Sequence, residues 1–441
     1  MPYVELNDDD DIERFAKRVW TNVSPSALVI LFNRAQSQET IRDIFNHLLD
    51  YNMGRRQLRA VFESDRLHAD PVYAPALNRL GMFEKASAVV LRDSQRHPGL
   101  VADLPGHTSD LILAKWVTDT GALATVSRES ALLWRWDGAK FAPVHLPRRS
   151  AADALSASVS DNGQVLAIKR ETTELHDLHV PDAVPAELAL GQLEDDRQAS
   201  SRLLVSRKGN CVAIPSARGG FTHVNVASSE QSVVHGPVVD ILSTSGGGTH
   251  VAGTESRRGD LIVWRAPNPE PIARLERGEK IEGAIFSPNE LAIASASRDR
   301  AVAFWEISSG AKIPTPELRP SKNIHDMINS PDGQNLFVLV DDRIDVWNWD
   351  HLQQGPNSLV SGFGQSGVGN LALSPSGRLL AAATRDSDVL VWDLSNPGAP
   401  PGRVPVSELR PTKIDIRDDG LLMVGYIRGY AQVWDTKLLP H

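Results

Sequence analysis

Ser330-Pro331-Asp332-Gly333-Gln334-Asn335-Leu336-Phe337-Val338-Leu339-Val340 is followed, after Asp341-Asp342, by Arg343-Ile344-Asp345-Val346-Trp347. The opening four residues are turn formers: Ser and Asp bond their own backbone, Pro presets φ, and Gly accepts positive φ. Two short apolar runs separated by charged residues then read as an antiparallel hairpin. The plan recurs as Ser374-Pro375-Ser376-Gly377, ending in Val391-Trp392-Asp393. Working outward, equivalent turns stand at Thr118–Gly121, Ser160–Gly163, Ser206–Gly209, Ser245–Gly248, Ser287–Asn289 and Arg417–Gly420. Each precedes a strand with Trp, or a substitute, at one slot: Trp134, His176, Val224, Trp264, Trp305, Trp347, Trp392 and Trp434. Successive gaps are 42, 48, 40, 41, 42, 45 and 42 residues, so the chain repeats one supersecondary unit.

A four-stranded sheet of about 40 residues has two apolar faces and cannot bury both alone. Radial stacking buries each face on a neighbour and leaves only short edges. Eight turns and eight slots predict eight blades. A ring must join its ends, and Leu100–Leu104 is placed to be the outer strand of the last blade, beside Ala431–Trp434.

Ser330–Gly333 and Ser374–Gly377 resemble the Ser-Pro-Asp-Gly turn of WD repeats. Ser297-Arg298-Asp299 through Trp305, and Val391-Trp392-Asp393, are similar to their hairpin and closing Trp-Asp; Gly106-His107 is similar to their opening Gly-His. The resemblance covers about residues 99–436 and implies an all-β propeller that binds other proteins. Repeat three lacks Trp and Gly-His occurs once, so the family's buried Asp-His-Ser-Trp hydrogen-bond set is incomplete. Some blades are expected to rest on apolar packing alone.

Residues 1–98 follow a helical period instead. Ile12, Phe15, Ala16, Val19 and Trp20 share one face, as do Ile41, Ile44, Phe45, Leu48 and Leu49. Ser24-Pro25 reads as an N-cap with proline at the first helical position, and Asn52 with Gly54 as a helix end. The chain therefore divides into a small α-helical bundle, 1–98, and a propeller, 99–441, with the boundary at His97-Pro98-Gly99. Residues 41–80 resemble the small effector-associated helical modules of bacterial conflict and signalling proteins, which pair with like modules on protease, receptor-type or NTPase partners. A plain helical cap is the alternative.

Composition narrows the function classes. With 46 basic and 55 acidic residues the net charge is −9, which argues against general nucleic-acid coating. The single cysteine, Cys211, lies in an apolar run, so neither disulfides nor a cysteine zinc site can form. No apolar stretch approaches the roughly 18 residues of a membrane span, and the acidic Asp8–Asp11 is unlike a secretory signal; a cytoplasmic protein is expected.

Catalytic motifs are missing. Ser245-Gly246-Gly247-Gly248 lacks the phosphate-loop lysine, and no His-Glu-x-x-His or Gly-x-Ser-x-Gly occurs. His176 and His179, the closest histidines, should face opposite sides of a strand. Asp8–Asp11 lacks the ligand spacing of a calcium loop. Arg274–Gly278 is similar to the double-arginine motif of phosphoinositide-binding propellers, but Glu276 replaces one arginine. No metal, cofactor or enzymatic activity is expected.

One pattern remains. The turn between the second and third strand carries arginine in every repeat: Arg128, Arg170, Arg218, Arg258 (with Arg257), Arg298 (with Arg300), Arg343, Arg385 and Arg428. The plainer reading is a family habit, with Glu129, Glu171, Asp260, Asp299, Asp341 and Asp386 neutralising part of the charge. The functional reading is a rim that attracts an acidic peptide or phosphate through guanidinium pairs. The expectation is a non-catalytic adaptor, in bacterial signalling or defence, with a helical head docking one partner and a propeller reading another. A binder of phosphorylated, nucleic-acid or lipid ligands is the alternative, and a propeller enzyme the third class.

Overall fold

The computed structural model describes residues 99–439, except 119, 138–139, 189–201, 217–218, 238, 256–258, 277–280, 298–301, 317–323, 341–342, 362–369, 384–388, 397, 405–410 and 427–428. The helices read into 1–98, and the module at 41–80, lie outside the described residues.

The repeated turn explains the repeated hairpin. In blade 6, Ser330 Oγ accepts the backbone N–H of Asn335 (2.9 Å), and Asp332 Oδ1 accepts that of Gln334 (3.0 Å). The Gly333 N–H returns to the Ser330 carbonyl (3.0 Å). A serine hydroxyl captures the equivalent N–H of Val165, Cys211, His250, Ala292 and Leu379. The fourth turn residue sits at positive φ, where glycine avoids a Cβ clash. At Gly163 (φ +72°) a Cβ would also stand 2.5 Å from Val117 Cγ1, on the preceding blade. Blade 5 breaks the rule: Glu290 occupies this place at φ +60°.

Eight four-stranded antiparallel sheets result. With strands lettered a to d from the centre outward, blades 1 to 7 span 111–145, 156–188, 204–234, 239–275, 281–313, 324–361 and 370–404. Blade 8 takes strands a to c from 411–435 and strand d from Leu100–Asp103, paired as Leu100↔Trp434, Ala102↔Val433 and Asp103↔Gln432. The ring closes as the sequence predicts. Each strand a contacts the next around the whole circle, the last returning to the first.

The slot residues share one register. Trp134, His176, Val224, Trp264, Trp305, Trp347, Trp392 and Trp434 lie opposite Leu123, Leu166, Val212, Val251, Ile293, Leu336, Leu380 and Leu422 of strand b. All eight are buried. Seven apolar clusters occupy successive blade junctions: Leu132, Trp134, Met423 and Val433 join blade 8 to blade 1, and Val224, Val212 and Ala167 join blade 2 to blade 3. A fully buried Leu or Val contributes on the order of 1.5–3 kcal/mol, against about 1 kcal/mol net for a hydrogen bond. Apolar burial therefore carries the ring, and polar networks tune it.

Candidate interaction site

Blade 1 holds a connected polar set at its slot. Trp134 Nε1 donates to Thr125 Oγ1 (2.8 Å), and His107 Nε2 meets the same oxygen (2.7 Å). Ser130 Oγ lies 3.0 Å from His107 Nδ1. Burial takes the imidazole down to about 3, against the pull of Glu129, so it is neutral at ordinary pH. In blade 5 Trp305 Nε1 donates to Ser295 Oγ (2.9 Å), and blade 3 places Val224 in the slot.

Blade 2 fills the slot differently. Arg170 and Glu174 form a fully buried ion pair (3.2 Å), with His176 Nε2 3.7 Å from the same carboxylate oxygen. Burial lowers the His176 pKa, although Glu174 opposes this. The pair also reaches outward to the link between blades 1 and 2. Glu174 Oε1 accepts the backbone N–H groups of Arg149 (2.7 Å) and Ser150 (3.0 Å), and Arg170 Nη1 donates to the Ala152 carbonyl (2.7 Å).

Neighbouring blades are clasped around the central channel by side chains. Asp415 accepts from Lys115 Nζ (2.9 Å) and from the Trp116 N–H (2.6 Å), joining blade 8 to blade 1. Burial works against the Lys115 ammonium, but Asp415 outweighs it and the pKa lies above the usual lysine range. Asp326 accepts the N–H groups of Met327 (2.9 Å) and Leu371 (2.8 Å), joining blade 6 to blade 7. Burial raises its carboxyl to about 6. The turns between strands a and b are linked too: Asp161 N–H to the Arg207 carbonyl (2.8 Å), and Lys208 N–H to that of Gly246 (3.1 Å). Glu290 accepts from Gly247 N–H (3.0 Å) and Thr249 Oγ1 (2.5 Å) of blade 4, hydrogen bonds that offset its strained backbone.

The channel opens into a cavity at each end. About 760 Å³ lies beside the a–b turns, with an apolar arc including Met327, Ile328, Leu371 and Leu373, and a charged arc including Lys115, Asp161, Arg207 and Arg417. The charges there are paired, Arg207 with Asp161 and Arg417 with Asp419. About 530 Å³ lies at the other end, bordered by Arg202, Asp240, Glu282, His325 and Asp326.

The arginine rim is uneven. Arg128 is exposed, and among the described residues no carboxylate pairs with it. Arg170 is buried and held by Glu174, which removes it from the surface. Arg343 opens strand c of blade 6, with Asp345 taking its Nε (2.9 Å). Arg218, Arg258, Arg298, Arg385 and Arg428 lie outside the described residues. Two arginines that the repeat pattern passes over, Arg148 and Arg149, are exposed on the link beside Arg128. The dipeptide Arg148-Arg149 after Pro147 was the available signal, but it stands between repeats.

Other sequence candidates hold no assembled chemistry. Cys211 is buried, its thiol pushed by burial up to about 11. His179 sits by Asp177, away from the His176–Glu174 pair, and the described residues hold no His, Cys, Asp and Glu group able to bind a metal ion. Arg274 is taken up by Glu255 (2.8 Å) and Asp260 (3.5 Å) of its own blade. No described helix is long and apolar enough to cross a membrane.

Residues 357–393 match the family described as WD domain, G-beta repeat. The match runs from strand d of blade 6 to Asp393 at the end of strand c of blade 7. A sequence repeat thus straddles two blades, in the order d-a-b-c, and Leu100–Asp103 serves blade 8 by the same offset. The chain thus carries a WD repeat at 357–393, on an eight-bladed propeller. It is 27% identical to cilia- and flagella-associated protein 52 of Sus scrofa over 146 residues, 32% of this chain and 22% of that protein. It is 28% identical to the Arabidopsis thaliana transcriptional corepressor LEUNIG_HOMOLOG over 151 residues, 31% and 18% of the two chains. It is 24% identical to nuclear distribution protein PAC1 of Gibberella zeae over 150 residues, 32% and 33%. The matches span only about a fifth to a third of those proteins. Among solved structures, the eight-bladed propeller resembles the C-terminal WD40 domain of Sif2 (TM-score 0.56, 15% identity, 78% of this chain and 98% of that one). The WD40 propeller domain of Doa1 gives TM-score 0.50 at 16% identity, covering 76% and 96%.

Proposed function

We propose that this WD-repeat propeller is a non-catalytic cytoplasmic scaffold that reads an acidic segment of a protein partner on the face of its b–c turns. Region 1–98, read as helical from its hydrophobic period, would dock a second partner, as its resemblance to adaptor modules of bacterial signalling and defence implies. The observation that carries the reading is Arg128, an exposed guanidinium with no described carboxylate partner, at a place where the sequence pattern sets an arginine in each of eight repeats. A corepressor and a cilia- and flagella-associated protein among the relatives fit a scaffold. So does a closed ring whose blades are clasped into a rigid platform.

The test uses a fluorescein-labelled peptide, Gly-Glu-Asp-Leu-Glu-Asp-Leu-Gly, titrated with the full chain. Two variants are compared, R298E/R385E/R428E and R128E/R148E/R149E. Substitutions at exposed positions such as 128, 148 and 149 usually alter stability by no more than about 0.5 kcal/mol each, and a thermal melt of each variant checks that folding survives. A loss of binding in at least one variant, with weakening by salt, is expected, because exposed charges are screened over about 8 Å at physiological ionic strength. Equal binding by the native chain and both variants would overturn the arginine-rim reading.

A further inference from the structure

The link between blades 1 and 2 is fastened to both blades by hydrogen bonds. Buried ion pairs pay a desolvation cost that apolar packing avoids, and they are best attested as devices that specify one conformation. In blade 2 the Arg170–Glu174 pair spends its remaining hydrogen-bonding capacity on the link: two N–H groups on Glu174 and the Ala152 carbonyl on Arg170. On the other side, the Ala154 N–H donates to the Arg128 carbonyl (2.7 Å), and Arg148 Nη1 to the Glu129 carbonyl (3.2 Å). The link is therefore pinned to the b–c turns of two adjacent blades.

The pinned link displays a particular set of side chains. Arg128, Arg148 and Arg149 are exposed, and Leu155 is 46% exposed. Six other described arginines hold a carboxylate: Arg170, Arg207, Arg274, Arg343, Arg378 and Arg417. Among the described residues no ion pair reaches the three around this link, nor Arg135, Arg202 or Arg265; the Arg148 and Arg149 guanidinium groups donate to the carbonyls of Glu129 and Pro185. The nearest carboxylate in sequence, Glu129, accepts from the hydroxyls of Ser109 and Ser127. Asp153 and Glu171 stand exposed at the edges. Three such guanidinium groups gathered on one fastened link, beside an exposed leucine, leave capacity for an outside acceptor.

We infer that the blade 1–2 junction, through Arg128, Arg148, Arg149 and Leu155, is the docking surface for an acidic protein segment that carries an apolar residue, with Arg170 and Glu174 as positioning residues beneath it. The inference rests on the scaffold reading and narrows it to one sector. Carboxylates of the segment would take the guanidinium groups, whose fork geometry suits bidentate pairing, and its apolar side chain would cover Leu155.

The same labelled peptide tests the inference. R128E/R148E/R149E is expected to weaken binding at least tenfold, and L155D several-fold. R135E reverses an exposed charge at the opposite end of the same blade, so binding should stay within twofold. An unlabelled single-stranded oligonucleotide should compete far less well than unlabelled peptide. Loss in R298E/R385E/R428E with full binding by R128E/R148E/R149E would overturn this placement and leave the scaffold reading standing. Full binding by both would overturn both, and oligonucleotide competition equal to that of the peptide would overturn the protein-segment assignment.

Discussion

Blades 1 and 2 stand side by side, use the same hairpin register and bury their slot residues equally, yet they solve the slot with opposite chemistry. In blade 1, Trp134 faces Leu123, and its indole N–H ends in a neutral chain through Thr125 to His107. In blade 2, His176 faces Leu166 beside a buried Arg170–Glu174 pair. Blade 3, with Val224, has no polar partner at the slot. The backbone plan tolerates all three because the inter-blade apolar clusters supply most of the burial. What differs is the cost of disturbance. A neutral chain loses a hydrogen bond when broken, whereas an ion pair leaves an uncompensated charge in the interior.

The sharpest way to break this comparison is Glu174→Ala. It strands the Arg170 guanidinium and releases the Arg149 and Ser150 N–H groups, so a loss of about 3–5 kcal/mol is expected. Urea melts of native and variant chains would measure it, and a loss below about 1 kcal/mol would show that water reaches Arg170. Thr125→Val in blade 1 keeps the shape but leaves Trp134 Nε1 and His107 Nε2 without their shared oxygen. About 1–3 kcal/mol is expected, clearly less than at Glu174; a cost equal to that of Glu174→Ala would erase the distinction between the blades.

The smallest effect is a pH dependence. His107 is held neutral in the folded chain, its pKa lowered to about 3 by burial, whereas in the unfolded chain it titrates near 6.5. Between those values the unfolded state binds more protons, so stability falls as pH drops below 6.5. The expected slope approaches about 1.4 kcal/mol per pH unit. Melts of the native chain between about pH 5.5 and 7 should show a steeper fall than melts of His107→Gln. Equal slopes would place solvent at the imidazole.

Most of the ring was legible in the chain because each repeat writes its turn and slot locally. Ser330–Gly333 closes on itself, and Trp347 takes its register from the hairpin that follows. Even the closing strand at 100–103 could be placed, because one edge was left without a partner. The site was less legible. Arg170 occupies the same turn position as Arg128, and nothing in the spacing separates them; Glu174, four residues on, decides that one is buried. Arg148 and Arg149 were passed over because they lie on a link, outside the period that made the other arginines conspicuous. Glu290, in a glycine's place, is intelligible only from the blade 4 turn that it binds.

The amino-acid order by itself determined the number of blades and the hairpin register, since these depend on contacts within about forty residues. Which arginines face solvent, which are spent on carboxylates, and how the link between blades 1 and 2 is held were decided by tertiary structure. Those outcomes depend on desolvation and on partners supplied by a neighbouring blade, and neither is written in the local pattern of a single repeat.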